Sequence, residues 1–223
     1  MHTNQKLIII KKIYCISGLG ADEKAFAKIK VPGYQLEHVL WLTPEKDEPL
    51  EVYAKRMASQ IKDTNPILMG LSFGGMMCIE IAKLITVEKV ILISSIPSFN
   101  ELPLWMKAAG KLKLNKLVPI HAYTKVLEPV QNYFIGAKTE NEKEMVRRYR
   151  KSVSQQYLDW AVNAIFNWKN NWQPAKLYHI HGDADRIFPL KKLQPDYVVK
   201  DGNHFMIFSK AREVNEYLSK IAG

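Results

Sequence analysis

The sequence predicts an α/β fold in which a mostly parallel central sheet is covered by helices on both faces. Short apolar runs typical of buried strands, such as residues 13–16 and 89–93, alternate with segments whose apolar residues recur every three or four positions. Glycine-rich turns, such as residues 17–20, follow the ends of these runs. Strands separated by helices pair in parallel, because each helix carries the chain back to the same edge of the sheet.

The first hundred residues contain four predicted strands and three predicted helices. The strands are short and apolar, and they cover residues 13–16, 36–42, 67–69 and 89–93. The helices show an apolar repeat or a continuous apolar run, and they cover residues 23–29, 49–62 and 76–84. Asp22 is expected to cap the first of these helices, and Pro49 suits the first turn of the second.

The alternation stops after Pro97 and resumes at about residue 176. Aromatic residues are dense between these points, and helical patterns cover residues 104–113, 139–153 and 154–168. We therefore predict a helical insertion at about residues 98–174. Residues 157–168 fit this insertion, but they could instead pack on the sheet.

Two further strands and a final amphipathic helix are predicted after the insertion, at residues 177–180, 197–200 and 210–221. The sequence shows no internal repeat, low-complexity tract or linker between domains. The whole chain, residues 1–223, is therefore predicted to form a single domain that contains the helical insertion.

Composition and charge limit the partners that we expect. The formal net charge is +10, but the lysines are scattered and match no nucleic-acid-binding motif, so we expect no nucleic-acid partner. No apolar run approaches the roughly 18 residues that a membrane span needs, and the N-terminus lacks a secretory pattern. Cys15 and Cys78 lie in apolar segments, which is typical of free thiols in a reducing compartment. We therefore expect a soluble, cytoplasmic protein.

No metal and no cofactor are expected from the sequence. It contains neither a His-x-x-x-His nor a Cys-x-x-Cys spacing that would indicate a metal site. The glycine-rich segment 17–20 lacks both the lysine of a phosphate-binding loop and the full dinucleotide-binding pattern.

The strongest chemical signal is the Gly-Leu-Ser-Phe-Gly sequence of residues 70–74. This Gly-x-Ser-x-Gly pattern follows a predicted strand and opens a predicted helix, and Gly75 extends it. Such a turn presents one hydroxyl away from the backbone, while its glycines let strand and helix approach closely. The pattern alone occurs by chance in roughly one chain in fifteen of this length. Its context therefore supports Ser72 as the candidate nucleophile.

A serine hydroxyl needs a base to take its proton, and His204 is the best placed of the six histidines. It lies in a Gly/Asn loop after the last predicted strand, where its ring can reach over the edge of the sheet. His38 and His179 lie within predicted strands and are interpreted as structural. His121 lies in the insertion and is a weaker candidate, and His181 precedes the candidate acid rather than following it.

Two aspartates compete for the role of the acid that orients His204. Both lie in the loop after the strand predicted at residues 177–180. Asp185 lies beyond the strand end, where its side chain can reach a histidine on the next loop. Asp183 is better placed to bond the backbone of its own turn. We therefore favour Asp185 as the acid.

These segments, in this order, resemble those of the alpha/beta-hydrolase fold family. Residues 70–75 are similar to its nucleophile elbow, residues 181–189 to its acid loop and residues 202–205 to its histidine loop. The resemblance covers nearly the whole chain. It implies an alpha/beta-hydrolase fold in which the insertion at residues 98–174 corresponds to a helical cap.

The resemblance also implies an oxyanion hole built from two backbone N–H groups. Phe73, the residue after the candidate nucleophile, corresponds to one donor, and Leu19, in the loop after the first strand, corresponds to the other. The sequence departs from the family pattern at Ser17, where many relatives have a histidine. Because both donors are backbone groups, we expect the hole to persist.

The sequence therefore predicts a carboxylesterase-like serine hydrolase that cleaves an ester or related acyl bond through a Ser-His-Asp triad and an acyl-enzyme. The aromatic insertion suggests a small-molecule acyl substrate with an apolar or aromatic group. Basic residues such as Arg147 and Arg148 fit an anionic leaving group such as coenzyme A, but a solvated helix face is preferred. The alternatives are a C–C-bond hydrolase or thioesterase on the same triad, and a slow-turnover ligand receptor or regulatory binding protein. The oligomeric state is left open.

Overall fold

Six parallel strands form one sheet in the computed structural model of the chain, which describes residues 11–112 and 127–222. In chain order the strands are β1 (Lys11–Ile16), β2 (Tyr34–His38), β3 (Ile67–Leu71), β4 (Lys89–Ile93), β5 (Leu177–Gly182) and β6 (Tyr197–Val199). Their order across the sheet is β2-β1-β3-β4-β5-β6, and each neighbouring pair is parallel. The predicted α/β class with a mostly parallel sheet is confirmed.

The α-helices of the described residues lie between and after these strands. They are α1 (Leu50–Ala58), α2 (Phe73–Ala82), α3 (Leu104–Lys111), α4 (Glu128–Ile135), α5 (Glu140–Ser152), α6 (Gln155–Phe166), α7 (Met206–Ser209) and α8 (Ala211–Ala222). Short 3₁₀ helices cover Glu23–Phe26, Phe99–Glu101 and Leu190–Lys192. Helices α3 to α6 fall between β4 and β5, within the segment where the sequence predicts a helical insertion.

Alternate side chains of the strands pack against different helices, so the sheet is covered on both faces. On one face, Tyr14 and Ile16 of β1 join a core with residues of α1, α2 and α6. On the other face, Ile13 and Cys15 join a core with residues of α7 and α8. This follows from the two-residue period of a strand, which sends successive side chains to opposite faces.

Helix α6 belongs to the core of the main sheet. Its residues Tyr157, Ala161 and Ile165 are buried in the same cluster as residues of α1 and α2. The spacing of four residues places these three side chains on one face of the helix. The interpretation that residues 157–168 pack on the sheet side therefore describes α6 better than a separate insertion does.

Helix α2 is the element that fixes the position of the candidate site. All of its residues are buried, as expected for a helix that is apolar all round. Its one charged residue, Glu80, accepts a hydrogen bond from the Trp168 indole N–H at 2.7 Å and pairs with Lys83 Nζ at 2.6 Å. The buried carboxylate is therefore partnered, and α2 is held from several sides.

The second strand differs from its predicted range. The apolar run predicts a strand at residues 36–42, but β2 covers Tyr34–His38. The N–H of Val39 still donates to the Cys15 carbonyl of β1 at 3.0 Å, but beyond Val39 the backbone groups find side-chain partners outside the sheet. The hydroxyl of Tyr53 accepts a hydrogen bond from the N–H of Leu42 at 2.9 Å and donates one to its carbonyl at 2.7 Å.

Two helical segments also differ from their predictions. The helix predicted at residues 23–29 is a 3₁₀ turn over Glu23–Phe26, although Asp22 caps it as predicted and accepts from the Lys24 N–H at 3.0 Å. Helix α4 is missed by sequence reasoning. Its one buried residue is Asn132, and a helix without an apolar stripe gives no periodic signal.

Within residues 11–112 and 127–222, no helix is long and apolar enough to cross a membrane. The same part of the chain contains no group of three or more His, Cys, Asp or Glu side chains arranged to hold a metal ion. Cys15 and Cys78 are buried free thiols, and burial raises the pKa of both.

Candidate active site

The turn between β3 and α2 holds Ser72 in a strained backbone conformation. Ser72 has φ 53° and ψ −119°, outside the regions that a side chain normally allows. Its N–H donates to the Ile93 carbonyl at 2.9 Å, and its carbonyl accepts from Ser95 Oγ at 2.6 Å. The end of β4 thus supplies both partners that hold the turn.

Gly70 and Gly74 allow the close backbone approaches that this turn needs. A Cβ at Gly70 would overlap the backbone of Gly74. A Cβ at Gly74 would overlap the carbonyl oxygens of Ile16 and Ser17. The first approach joins strand to helix, and the second brings the loop after β1 against the turn. Both glycines of the Gly-x-Ser-x-Gly pattern are therefore required by steric contact.

A close backbone contact also joins the acid loop, residues 181–189, to the histidine loop, residues 202–205. A Cβ at Gly182 would overlap the carbonyl oxygen of Gly202. The side-chain amide of Asn203 donates to the Gly136 carbonyl at 2.8 Å. Because Gly136 follows α4, this bond ties the histidine loop to the segment between β4 and β5.

The structure brings Ser72, His204 and Asp185 into one hydrogen-bonded chain. His204 Nε2 lies 2.9 Å from Ser72 Oγ, and His204 Nδ1 lies 2.8 Å from Asp185 Oδ2. An ionised carboxylate only accepts, so Nδ1 carries the proton, and Nε2 is left to accept the hydrogen bond of the serine hydroxyl. The Asp185 side chain is fully buried, whereas that of His204 is 10% exposed.

His204, together with backbone hydrogen bonds, favours the ionised form of Asp185. Its Oδ1 accepts from the N–H groups of Ile187 at 2.8 Å and Phe188 at 2.9 Å. Burial raises the pKa of Asp185, but the charge of His204 and its hydrogen bond act in the opposite direction, and the pKa lies below its ordinary value. Asp183 is exposed. Of the two aspartates, only Asp185 lies beside His204.

Two further histidines lie behind Asp185. His181 Nε2 lies 2.8 Å from the Phe188 carbonyl and 3.5 Å from Asp185 Oδ2, and His181 Nδ1 lies 3.1 Å from His179 Nε2. A carbonyl only accepts, so Nε2 of His181 carries a proton and Nδ1 accepts from His179. Burial lowers the pKa of both side chains, that of His179 to about 3. Sequence reasoning missed this pair, although a spacing of two in a strand places both rings on one face.

The loop after β1, which contains Leu19, lies against the turn that holds Ser72. A Cβ at Gly18 would lie 3.4 Å from Ser72 Cβ, so the loop and the turn are nearly in van der Waals contact. In the part of the chain that is described, neither the N–H of Leu19 nor that of Phe73 donates a hydrogen bond to the protein. Phe73 is the first residue of α2, where an N–H has no acceptor within the helix. Two available donors therefore belong to segments that adjoin Ser72.

The other histidines considered as bases do not compete with His204 among the described residues. His38 packs against Phe26, with ring centroids 5.8 Å apart. His179 and His181 are engaged with each other. His121 lies outside the described residues.

The fold is similar to solved structures of several enzymes that share little sequence with this chain. An esterase from Exiguobacterium antarcticum has a TM-score of 0.72 at 15% identity, with 96% of this chain and 92% of that chain covered. An epoxide hydrolase from Bacillus megaterium has a TM-score of 0.69 at 12% identity, with 95% and 93% covered. A bromoperoxidase from Bacillus anthracis has a TM-score of 0.67 at 17% identity, with 95% and 91% covered. The chain has the alpha/beta-hydrolase fold.

No protein-family model and no curated protein sequence matches the chain. An alpha/beta-hydrolase fold does not by itself define a reaction, because function depends on the site that the fold carries. In this chain the site lies at the carboxyl ends of the parallel strands. Ser72 follows β3, Asp185 follows β5 and His204 follows β6, and ligands of open α/β sheets bind at this edge.

Two cavities lie near α6. The smaller, of about 310 Å³, borders the loop after β1 and has apolar walls from Trp41, Leu42 and Tyr157. The larger, of about 1000 Å³, lies between α6 and the loop before α1 and is lined by acidic side chains and Trp160. Neither cavity is lined by Ser72, His204 or Asp185. The smaller cavity is bordered by residues 20–22 of the loop that contains Leu19, and it is therefore the better candidate for a substrate group.

Proposed function

We propose that this chain is a serine hydrolase that cleaves an ester or related acyl bond and uses Ser72, His204 and Asp185 as its catalytic triad. The observation that carries this proposal is the continuous chain from Ser72 Oγ to His204 Nε2 at 2.9 Å and from His204 Nδ1 to Asp185 Oδ2 at 2.8 Å. In such an arrangement the histidine activates the serine hydroxyl as a nucleophile.

The first half of the reaction forms an acyl-enzyme. His204 Nε2 takes the proton of the Ser72 hydroxyl while Oγ bonds to the carbonyl carbon of the substrate. The carbonyl oxygen becomes an oxyanion, which accepts hydrogen bonds from the N–H groups of Leu19 and Phe73. Collapse of this intermediate breaks the bond to the leaving group, which receives the proton from the His204 imidazolium.

The second half releases the acid and restores the enzyme. His204 takes a proton from water as the water oxygen attacks the acyl carbon. The oxyanion forms again at the same donors, and the bond to Ser72 Oγ breaks as His204 returns the proton to it. Asp185 stays ionised throughout, holds the imidazole tautomer and stabilises the imidazolium. Its lowered pKa supports this role.

The aromatic surroundings of the serine support a carboxylesterase-like reaction on a small molecule with an apolar or aromatic group. Phe73 stacks on Trp41 with ring centroids 5.1 Å apart, and Trp160 of α6 meets Phe73 edge-on at 6.0 Å. Tyr157 meets Trp41 edge-on at 5.6 Å and lines the 310 Å³ cavity. Sites of this kind bind ligands mainly through apolar contact, with a few polar groups fixing orientation.

The nucleophile is tested by covalent labelling with a fluorophosphonate. The wild type should gain one phosphonyl group by intact mass, and Ser72→Ala should gain none. A peptide map should place the added mass on Ser72. Equal labelling of wild type and Ser72→Ala would contradict the proposal. Hydrolysis of a panel of p-nitrophenyl esters and acyl thioesters by the two proteins then separates an esterase from a thioesterase on the same triad.

A further inference from the structure

Trp41, in the loop between β2 and α1, contacts both segments that carry the proposed oxyanion donors. Its indole N–H donates a hydrogen bond to Ser17 Oγ at 3.0 Å. Its ring lies parallel to that of Phe73, with an interplanar angle of 2° and centroids 5.1 Å apart. Ser17 begins the loop that contains Leu19, and Phe73 is itself the second proposed donor. One side chain therefore bridges the two halves of the proposed hole.

The hydrogen bond from Trp41 reaches the Leu19 loop through Ser17. The hydroxyl of Ser17 accepts from the indole and donates to the Ala21 carbonyl at 2.6 Å. The N–H of Ala21 donates to the Gly18 carbonyl at 3.0 Å. Leu19 is thus enclosed in a tight turn whose two ends are joined by Ser17 Oγ. The indole N–H fixes the rotamer in which Ser17 makes this link.

The stacking contact acts on the second donor. Phe73 is only 1% exposed, and its ring is enclosed by the face of Trp41 and the edge of Trp160. A ring held on two sides has one allowed orientation, because displacement in either direction causes overlap. The N–H of Phe73 belongs to the first turn of α2, and the anchored ring helps to hold that turn in place.

Trp41 is itself held in place by the neighbouring residue. The Tyr53 hydroxyl bonds both the N–H and the carbonyl of Leu42, at 2.9 Å and 2.7 Å. Tyr53 is fully buried on α1. The backbone next to Trp41 is therefore anchored to a rigid helix. A residue that positions other groups must itself be held in this way.

From these contacts we infer that Trp41 is a positioning residue that aligns the N–H groups of Leu19 and Phe73 with the oxyanion formed at Ser72. The inference rests on the proposed hydrolase function. The oxyanion exists only in the transition state and the tetrahedral intermediate. Loss of alignment therefore lowers kcat and leaves KM nearly unchanged.

The test compares Trp41→Phe, Ser17→Ala and the double variant with p-nitrophenyl acetate as the probe. Trp41→Phe keeps a ring for stacking but loses the indole N–H, and Ser17→Ala removes its acceptor. We expect each single variant to lower kcat about tenfold, as for the loss of one hydrogen bond. Ser17→Ala, whose side chain does not line the 310 Å³ cavity, should in addition leave KM within twofold. Both substitutions remove the same hydrogen bond. The kcat of the double variant should therefore be about that of the more impaired single variant, and should not be lowered by the product of the two single factors.

Trp172→Phe is the matched control, since Trp172 is exposed and lies outside the site; it should leave kcat and KM unchanged. Far-UV circular dichroism and the melting temperature show that each variant is folded. A wild-type kcat in folded Trp41→Phe and Ser17→Ala, or a change in KM alone, overturns the inference but leaves the hydrolase proposal intact. Equal turnover by wild type and Ser72→Ala would overturn both the inference and the hydrolase proposal.

Discussion

The buried pair His179 and His181 should make the protein lose stability in mild acid. Both rings are neutral in the folded state, and the burial that lowers their pKa opposes protonation. The unfolded chain exposes them to water and binds protons at the ordinary pKa. Between the two pKa values the unfolded state therefore holds more protons, so stability falls as the pH falls.

The size of the effect follows from the pKa of His179, which drops from 6.5 to about 3 on folding. Below about pH 6.5 this residue alone removes roughly 1.4 kcal/mol of stability per pH unit, or about 3 kcal/mol by pH 4.5. The side chain is almost fully buried, so solvent screening does not reduce this value greatly. His181 acts in the same direction. The lowered pKa of Asp185 adds its own loss only below about pH 4.

Urea unfolding of wild type and His179→Gln at several pH values measures this effect. Glutamine keeps an N–H donor for His181 but does not titrate. Any change that the substitution itself makes to the free energy of unfolding is therefore the same at all pH values. We expect the variant to lose about 3 kcal/mol less than wild type between about pH 8 and 4.5. A constant m-value confirms that the unfolded state is the same. Parallel stability curves for the two proteins would refute the reasoning.

Two other substitutions test single contacts. Asp185→Asn should lower kcat by a factor on the order of 10⁴, because an amide can donate to His204 and favour the wrong tautomer. Asp183→Asn changes an exposed side chain and should retain near wild-type kcat; the reverse pattern in steady-state kinetics would exchange the two assignments. Trp168→Phe removes the N–H that bonds buried Glu80 and should cost about 1–3 kcal/mol in urea unfolding. An unchanged unfolding midpoint would show that Glu80 does not need this donor.

The positions of Ser72, Asp185 and His204 follow from sequence because each lies just past the end of an apolar strand. In a parallel sheet all such ends lie at one edge, so residues far apart in the chain must converge there. The choice of Asp185 over Asp183 also follows from the distance past the strand end. These inferences use only the strand ends and the order of the elements along the chain. They hold even where a predicted strand boundary is wrong by a few residues.

Contacts made by side chains in irregular segments could not be predicted in this way. The apolar run at residues 36–42 predicts a continuous strand, which would place Trp41 in the sheet. In the structure the chain leaves the sheet after Val39, and Trp41 instead meets Ser17 and Phe73. The deciding partner is the hydroxyl of Tyr53, 11 residues further along the chain in α1, which satisfies the backbone of residue 42 in the loop. A partner that distant in sequence leaves no local signal.

Helix α6 links the proposed substrate site to the proposed oxyanion hole. It supplies Tyr157 and Trp160, which contact Trp41 and Phe73 respectively. A substitution in this face of α6 that changes the fit of a substrate therefore also disturbs the groups that align the oxyanion donors. We therefore expect substrate fit and turnover to be coupled through these four rings.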